Sequence, residues 1–400
     1  MTDSTLSRLE NLMAACAIDG LLLTSPQSLA CFAGYETQIE WGAAPWLPCP
    51  AALLWQRGEA PVLFLAEGED PPQEPALDLV RFTSYVYREP LPGIQSLIAS
   101  VLTRLSASIP ATIGAELADL PSGLLVRLTE DCPQLRFIDV SSSLAELRAI
   151  KTPAELELIR KAVHLCDCGQ RAALENAREG MREIELYSLV HAAIEAEAGC
   201  RVPVLADLLS GPRTGQVGGP PSSRSFRSQD LVLIDLVVRL GGYWGDSCNT
   251  FAIGTPTRKQ QELFGRVHAA LDEAIDKVQP GLAVAELDGL MRERVTHAGS
   301  SYPHHSGHGI GVTWHEEPRV VPYSTAVLRE GMVIALEPGI YVEGEYGLRL
   351  ESVVAVTSHG AEVLTGFSHS LELRQKTGSG FRAIEVSVTE GAGQNENHKS

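Results

Sequence analysis

Asp235, Asp246, His308, Glu337 and Glu351 are the residues through which this chain is equipped for chemistry, because their types and spacing suit the capture of divalent cations. The two aspartates share the stretch LVLIDLVVRLGGYWGDSCNTF, the histidine sits in HHSGHGIGVTWHEEP, and the two glutamates share LEPGIYVEGEYGLRLESVVAV. Leu231 to Val238 is apolar apart from Asp235 and reads as a buried strand, and Leu240-Gly241-Gly242 is turn chemistry. A chain that folds back at Leu240 and Gly241 sets Asp235 opposite Asp246, and cross-strand partners point to one face. A turn over Val342 to Tyr346, centred near Gly344, sets Glu337 opposite Glu351 in the same way.

Like charges brought together in an apolar sheet are driven to take up protons unless a cation lies between them. Carboxylate oxygens with a single imidazole suit Mn, Co, Fe or Zn rather than a thiolate-seeking metal. A single aspartate in a strand is ordinarily a hydrogen-bonded core or edge residue. Five candidates in two hairpins and one loop are a different matter, although the spacings HExxH and CxxC are absent.

At these residues the chain resembles the aminopeptidase P, prolidase and creatinase family, over a span from about Ser7 to Leu373. The resemblance implies an α/β N-terminal domain followed by an α+β pita-bread catalytic domain, with a curved antiparallel sheet and outer helices. It implies two divalent metal ions, manganese first among the candidates: Asp235 on one, Asp246 and Glu351 bridging, His308 and Glu337 completing the other. His304 and His315 match the family's substrate-contacting loop histidines, and Arg349 matches an arginine that orients a bridging carboxylate. His305 matches no family position.

Two departures bear on the substrate. The peptidases carry a further histidine in the loop before the first metal strand, where SGPRTGQVGGPPSSRSF places glycine near Gly218. After the second aspartate they show Thr-Arg-Thr, where this chain has Cys248-Asn249-Thr250. The resemblance thus implies an Xaa-Pro dipeptidase or aminopeptidase-like hydrolase of amide bonds, with Glu337 as the proton-transfer group and His304 and His315 on the oxyanion or carbonyl. Hydrolysis of a small non-peptide amide or modified amino acid, in the manner of ectoine hydrolase or creatinase, is the alternative. An idle binding module on the same fold is a third reading, which the full ligand set opposes.

The elements that must position these groups follow from patterning. Four hundred residues exceed one ordinary core, and two domains are expected: residues 1–148, a metallohydrolase domain at 149–375, and a polar tail at 376–400. Residues 6–19 are helical in period, Leu21 to Leu23, Ala51 to Trp55 and Val62 to Leu65 read as strands, and Gly93 to Leu105 as a helix, an α/β alternation. SPQSLACFAGY stands where the family has a strand. Thr152, Pro153 and Glu155 form an N-cap, a first-turn proline and a capping-box glutamate for a helix running to about Glu179. Further helices are expected over Glu183 to Glu197, stopped by Gly199, and over Thr257 to Val278 and Val284 to His297. Helix pair and hairpin therefore occur twice. The pocket walls are expected from the 206–226 loop and from the segment Trp41 to Trp46, and a short strand in FRAIEVSV.

Composition narrows the partners. The formal net charge of -18, from 32 basic and 50 acidic residues, argues against nucleic acid or an anionic membrane as the main partner. The opening MTDSTLSRLE lacks the cationic and apolar regions of a secretory signal, and no apolar run approaches the roughly 20 residues of a spanning helix. A cytoplasmic location is the expectation, and the family resemblance implies a homodimer acting on a small peptide or small amide. Eight cysteines in a chain this long are not a disulfide framework. Cys166 and Cys168 read as packing residues, while Cys248 lies two residues beyond a proposed ligand.

Overall fold

A computed structural model describes residues 3–37, 51–72, 77–84, 93–105, 112–296 and 299–374. The segment Trp41 to Trp46, the tail from Lys376 with its FRAIEVSV strand, and the last residue of the helix expected to end at His297 lie outside the described residues.

Alternation in the first strand, Gly20–Leu23, organises the N-terminal half: Leu22 belongs to one core with Leu54, Phe64 and Val101, whereas Leu21 and Leu23 belong to another with Leu9, Leu53 and Leu144. Both faces of the sheet are therefore covered, as the apolar runs require. The sheet has six strands in the order Asp78–Phe82, Val62–Ala66, Ala52–Gln56, Gly20–Leu23, Thr112–Ala115 and Arg136–Asp139. Its two ends pair in parallel and its middle antiparallel. Helices Asp3–Ala15, Gly93–Leu105, Ser122–Asp131 and Ser141–Ala149 accompany it.

The SPQSLACFAGY segment is helical rather than extended. Ser25 accepts the Ser28 N–H at 3.1 Å ahead of Pro26, and helical structure runs from Pro26 through Ala33. A serine cap with proline at the first helical position starts a helix more readily than a strand.

Thr152 closes the expected capping box: its Oγ1 accepts the Glu155 N–H at 3.3 Å and its own N–H donates to Glu155 Oε2 at 2.7 Å. The helix runs Pro153–Asn176 and stops short of Glu179, because Ala177 is already extended. Glu183–Ala198 follows and ends on Gly199 in the left-handed region, φ 68°. These two helices pack on the strands Leu231–Leu240 and Tyr243–Ala252 through a core of Leu165, Ile194, Leu236 and Phe251. Helices Arg258–Lys277 and Val284–Val295 cover a second antiparallel sheet, ordered Glu316–Val320, Gly307–Gly309, Val333–Leu336, Ser352–Thr357, Gly360–Val363. Helix pair and sheet thus occur twice, with helices outside and the sheets' other faces turned toward one cavity.

Among the described residues no helix is long and apolar enough to cross a membrane.

Candidate metal centre

The first hairpin turns on Gly241 and Gly242, with φ of 59° and 85°. Two positive-φ residues between paired strands make the tight turn that glycine pairs favour. The fold-back therefore lies one residue later than expected, and Asp235 faces Cys248 while Asp246 faces Val237. The expected pairing of Asp235 with Asp246 is corrected to a diagonal one. A shift of two in register leaves every side chain on its original face, so both carboxylates still point into the cavity.

The second pairing is as expected. Leu336 pairs with Ser352 on one side and Gly339 with Arg349 on the other, which brackets Glu337 and Glu351 opposite one another. Glu351 N–H donates to Cys248 O at 3.0 Å, tying the two hairpins together. Thr250 reinforces the seam, its Oγ1 donating to Arg349 O at 2.9 Å and accepting Arg349 N–H at 3.0 Å.

His308 is delivered by the short strand Gly307–Gly309. Its Nε2 lies 3.8 Å from Asp246 Oδ2, 3.7 Å from Glu337 Oε1 and 4.0 Å from Glu351 Oε1. Its Nδ1 lies 3.0 Å from Gly309 O, a bond that places the ring proton on Nδ1 and leaves the Nε2 lone pair aimed at the acids. Burial pushes the imidazole down to about 3, so it is neutral and able to ligate.

Arg349 is the guanidinium of the site. It donates through Nη2 to Asp235 Oδ2 at 2.5 Å and lies 3.8 Å from Glu337 Oε2. His304 Nε2 is 2.9 Å from Tyr341 OH and its Nδ1 is 3.6 Å from Glu337 Oε2, and burial takes this ring down to about 4. His315 packs against His308 with ring centroids 4.1 Å apart and the rings tilted by 55°. All eight residues singled out from the sequence line one cavity of about 470 Å³.

Several contributors were not anticipated. His305 Nε2 stands 2.8 Å from Glu337 Oε1. Part of the 206–226 segment expected as loop is an edge strand, Val204–Ser210, paired with Leu231–Leu240 so that Asp207 faces Asp235. Its register against the metal strand is the signal that would have found Asp207. Behind the histidine loop, buried Asp288 receives Ser306 Oγ at 2.6 Å and holds Arg292, whose guanidinium donates to Tyr302 O and His304 O at 2.7 Å each. Cys248 is buried and near no open ligand position, its Sγ 3.7 Å from Arg349 O.

The donors present fit divalent ions. Asp235 Oδ1, Asp246 Oδ1 and Glu351 Oε1 are buried without a hydrogen-bond partner, a costly arrangement unless something cationic satisfies them. Burial, with the neighbouring acids adding to it, pushes the Asp246 and Glu351 carboxyls well up. Asp246, His308 and Glu351 offer ligand atoms all within 4.8 Å of one another.

Comparison with known proteins agrees with this architecture. Residues 157–358 match the model of metallopeptidase family M24, and residues 6–150 match the creatinase/prolidase N-terminal domain. An Xaa-Pro dipeptidase of Pyrococcus furiosus is 35% identical over 257 residues, 64% of this chain and 73% of that protein. Among solved structures, an Xaa-Pro dipeptidase from Bacillus anthracis superposes with a TM-score of 0.79 at 25% identity, covering 92% of this chain and 99% of its own. The prolidase from Pyrococcus horikoshii gives 0.76 at 26% identity, covering 92% and 100%. The fold is the pita-bread fold behind a creatinase-type N-terminal domain. The chain belongs to metallopeptidase family M24, and it is a metal-dependent hydrolase that uses divalent ions.

Proposed function

We propose that the protein hydrolyses the amide bond of Xaa-Pro dipeptides or short Xaa-Pro peptides, with two divalent ions, manganese first among Mn, Co, Fe and Zn, held by Asp235, Asp246, His308, Glu337 and Glu351. The observation that carries this reading is the convergence of these five side chains, with three orphaned carboxylate oxygens, in one buried-walled cavity. The substrate class follows the relatives, which are named for Xaa-Pro dipeptides. Ions bound there supply Lewis acidity, lowering the pKa of water and polarising a carbonyl.

The chain's own groups do the rest. Glu337 takes the proton of the attacking water and passes it to the leaving nitrogen. Neutral His315 donates to the carbonyl oxygen as charge builds on it, while His304, whose Nδ1 donates to His305 O at 2.6 Å and whose Nε2 accepts from Tyr341 OH at 2.9 Å, shapes the substrate side of the cavity. Arg349 fixes the Asp235 carboxylate, and His305 fixes that of Glu337. Residues 1–148 and 149–375 serve as the two functional domains, and the chain works as a cytoplasmic homodimer.

A second reading, a small non-peptide amide as substrate, draws on Gly218, which leaves the loop without the histidine usual in the peptidases. Assays of the manganese-loaded protein on Xaa-Pro dipeptides beside cyclic and N-acyl amides separate the two. Turnover confined to the non-peptide amides would overturn the peptide reading, and elemental analysis without bound metal would overturn both. Light scattering in solution tests the dimer.

A further inference from the structure

Asp207 is an acid of the cavity that the metal cage does not use. It faces Asp235 from the edge strand, and its side chain is 40% exposed where Asp246 and Glu351 are nearly closed off. Its Oδ1 accepts the Gly219 N–H at 2.9 Å, and a Cβ at Gly218 would lie 2.4 Å from its Oδ2. The carboxylate thus takes the room that any side chain at position 218 would need. Its one ion-pair partner among the described residues is Arg349 at 3.9 Å, and that guanidinium is committed to Asp235 at 2.5 Å.

Leu205, two residues before Asp207 on the same face, is 47% exposed at the cavity wall, with Val237 directly across from it. An apolar strip that ends in an open carboxylate is complementary to a long side chain with a cationic head.

We infer that Asp207 is a specificity-determining residue, selecting substrates whose residue on the N-terminal side of the scissile bond carries a lysine- or arginine-type side chain. The stem lies along Leu205 and Val237, and the head pairs with Asp207. The inference rests on the peptide-hydrolase reading above. The α-nitrogen of such a residue is one atom from the attacked carbonyl carbon and stays beside the cage. Asp207 stands one strand further out, roughly 4.8 Å, a distance for a side chain to cover.

The test compares lysyl-proline with norleucyl-proline, which has the same stem and no charge, on the manganese-loaded full chain. Isothermal titration with free L-lysine and L-norleucine measures binding without turnover. The wild type should prefer the lysine compound in both experiments by about tenfold, the scale of one charge-assisted contact. Asp207→Asn keeps an oxygen for Gly219 and should bring both ratios near one, and Asp207→Glu should restore part of the preference. Ratios near one in the wild type, or unchanged in Asp207→Asn, overturn the inference. Failure to cleave any Xaa-Pro dipeptide with the lysine preference intact would instead overturn the proposed function alone.

Discussion

Arg349 donates to Asp235 across the seam between the two hairpins, and the same guanidinium reaches Tyr341 OH at 3.3 Å and Val217 O at 3.2 Å. One side chain of the second hairpin therefore fixes a carboxylate of the first. Arg349→Ala frees Asp235 to rotate and should lower kcat/KM by about 10- to 100-fold, as loss of a group supporting a metal ligand does. Arg349→Lys keeps the charge but loses the planar fork and should fall between. Elemental analysis beside steady-state kinetics checks this, and an alanine variant within twofold of wild type would remove Arg349 from the machinery.

Glu337 is pinned by His305 at one oxygen and lies near His304 and Arg349 at the other. Glu337→Gln preserves shape while removing the proton acceptor, so most of the metal and the circular dichroism spectrum should survive. Activity should fall by about 10² to 10⁴, the range for loss of a general base. Turnover near the wild-type rate on a verified substrate would rule out the assigned role.

How much of this site could be read in advance depended on which contacts are local. Glu337 and Glu351 flank one hairpin, so a turn centred on Gly344 was enough to pair them. The first hairpin was misplaced by two in register, yet strand periodicity kept Asp235 and Asp246 on one face. Asp207 was missed because VLADLLS does not alternate cleanly and runs directly into Gly211-Pro212, so that only pairing with a distant strand makes it a strand. The short strands Thr112–Ala115 and Arg136–Asp139 were missed for a related reason: four residues, stabilised by parallel neighbours far away in sequence, leave little local pattern. His305 had no signal at all, since its value lies in a contact with Glu337 across two strands.

Chelation tests the cage from the stability side. Crowded buried acids destabilise the metal-free chain, and ions that bind only the folded state stabilise it, by about 2.7 kcal/mol at a free concentration 100 times Kd. EDTA should lower the melting temperature and manganese should restore it. Glu351→Gln removes one charge from the crowd, so the metal-free variant should melt above the metal-free wild type while losing the manganese-induced shift. Calorimetry with and without EDTA reads both effects. A metal-free variant melting lower than its parent would mean that the carboxylates do not repel one another as placed.

Asp167 carries the pH prediction, away from the cage. It is 2% exposed on the helix Pro153–Asn176, where Oδ2 accepts the Gly366 N–H at 2.7 Å and Oδ1 is buried without a partner. Burial raises its pKa, against the pull of the Gly366 N–H and Arg171. The folded chain then holds this proton more tightly than the unfolded chain does, so the residue favours folding at low pH and loses that contribution as pH rises through the folded-state value. Asp167→Asn keeps an acceptor for Gly366 without the charge. It should be more stable than wild type at pH 7.5, with the gap narrowing toward the ordinary aspartate range, about 4. Urea titrations of both EDTA-treated proteins at a series of pH values measure the gap. One that widened on acidification would reverse the sign of the burial effect and show that Asp167 is ionised and satisfied in the fold.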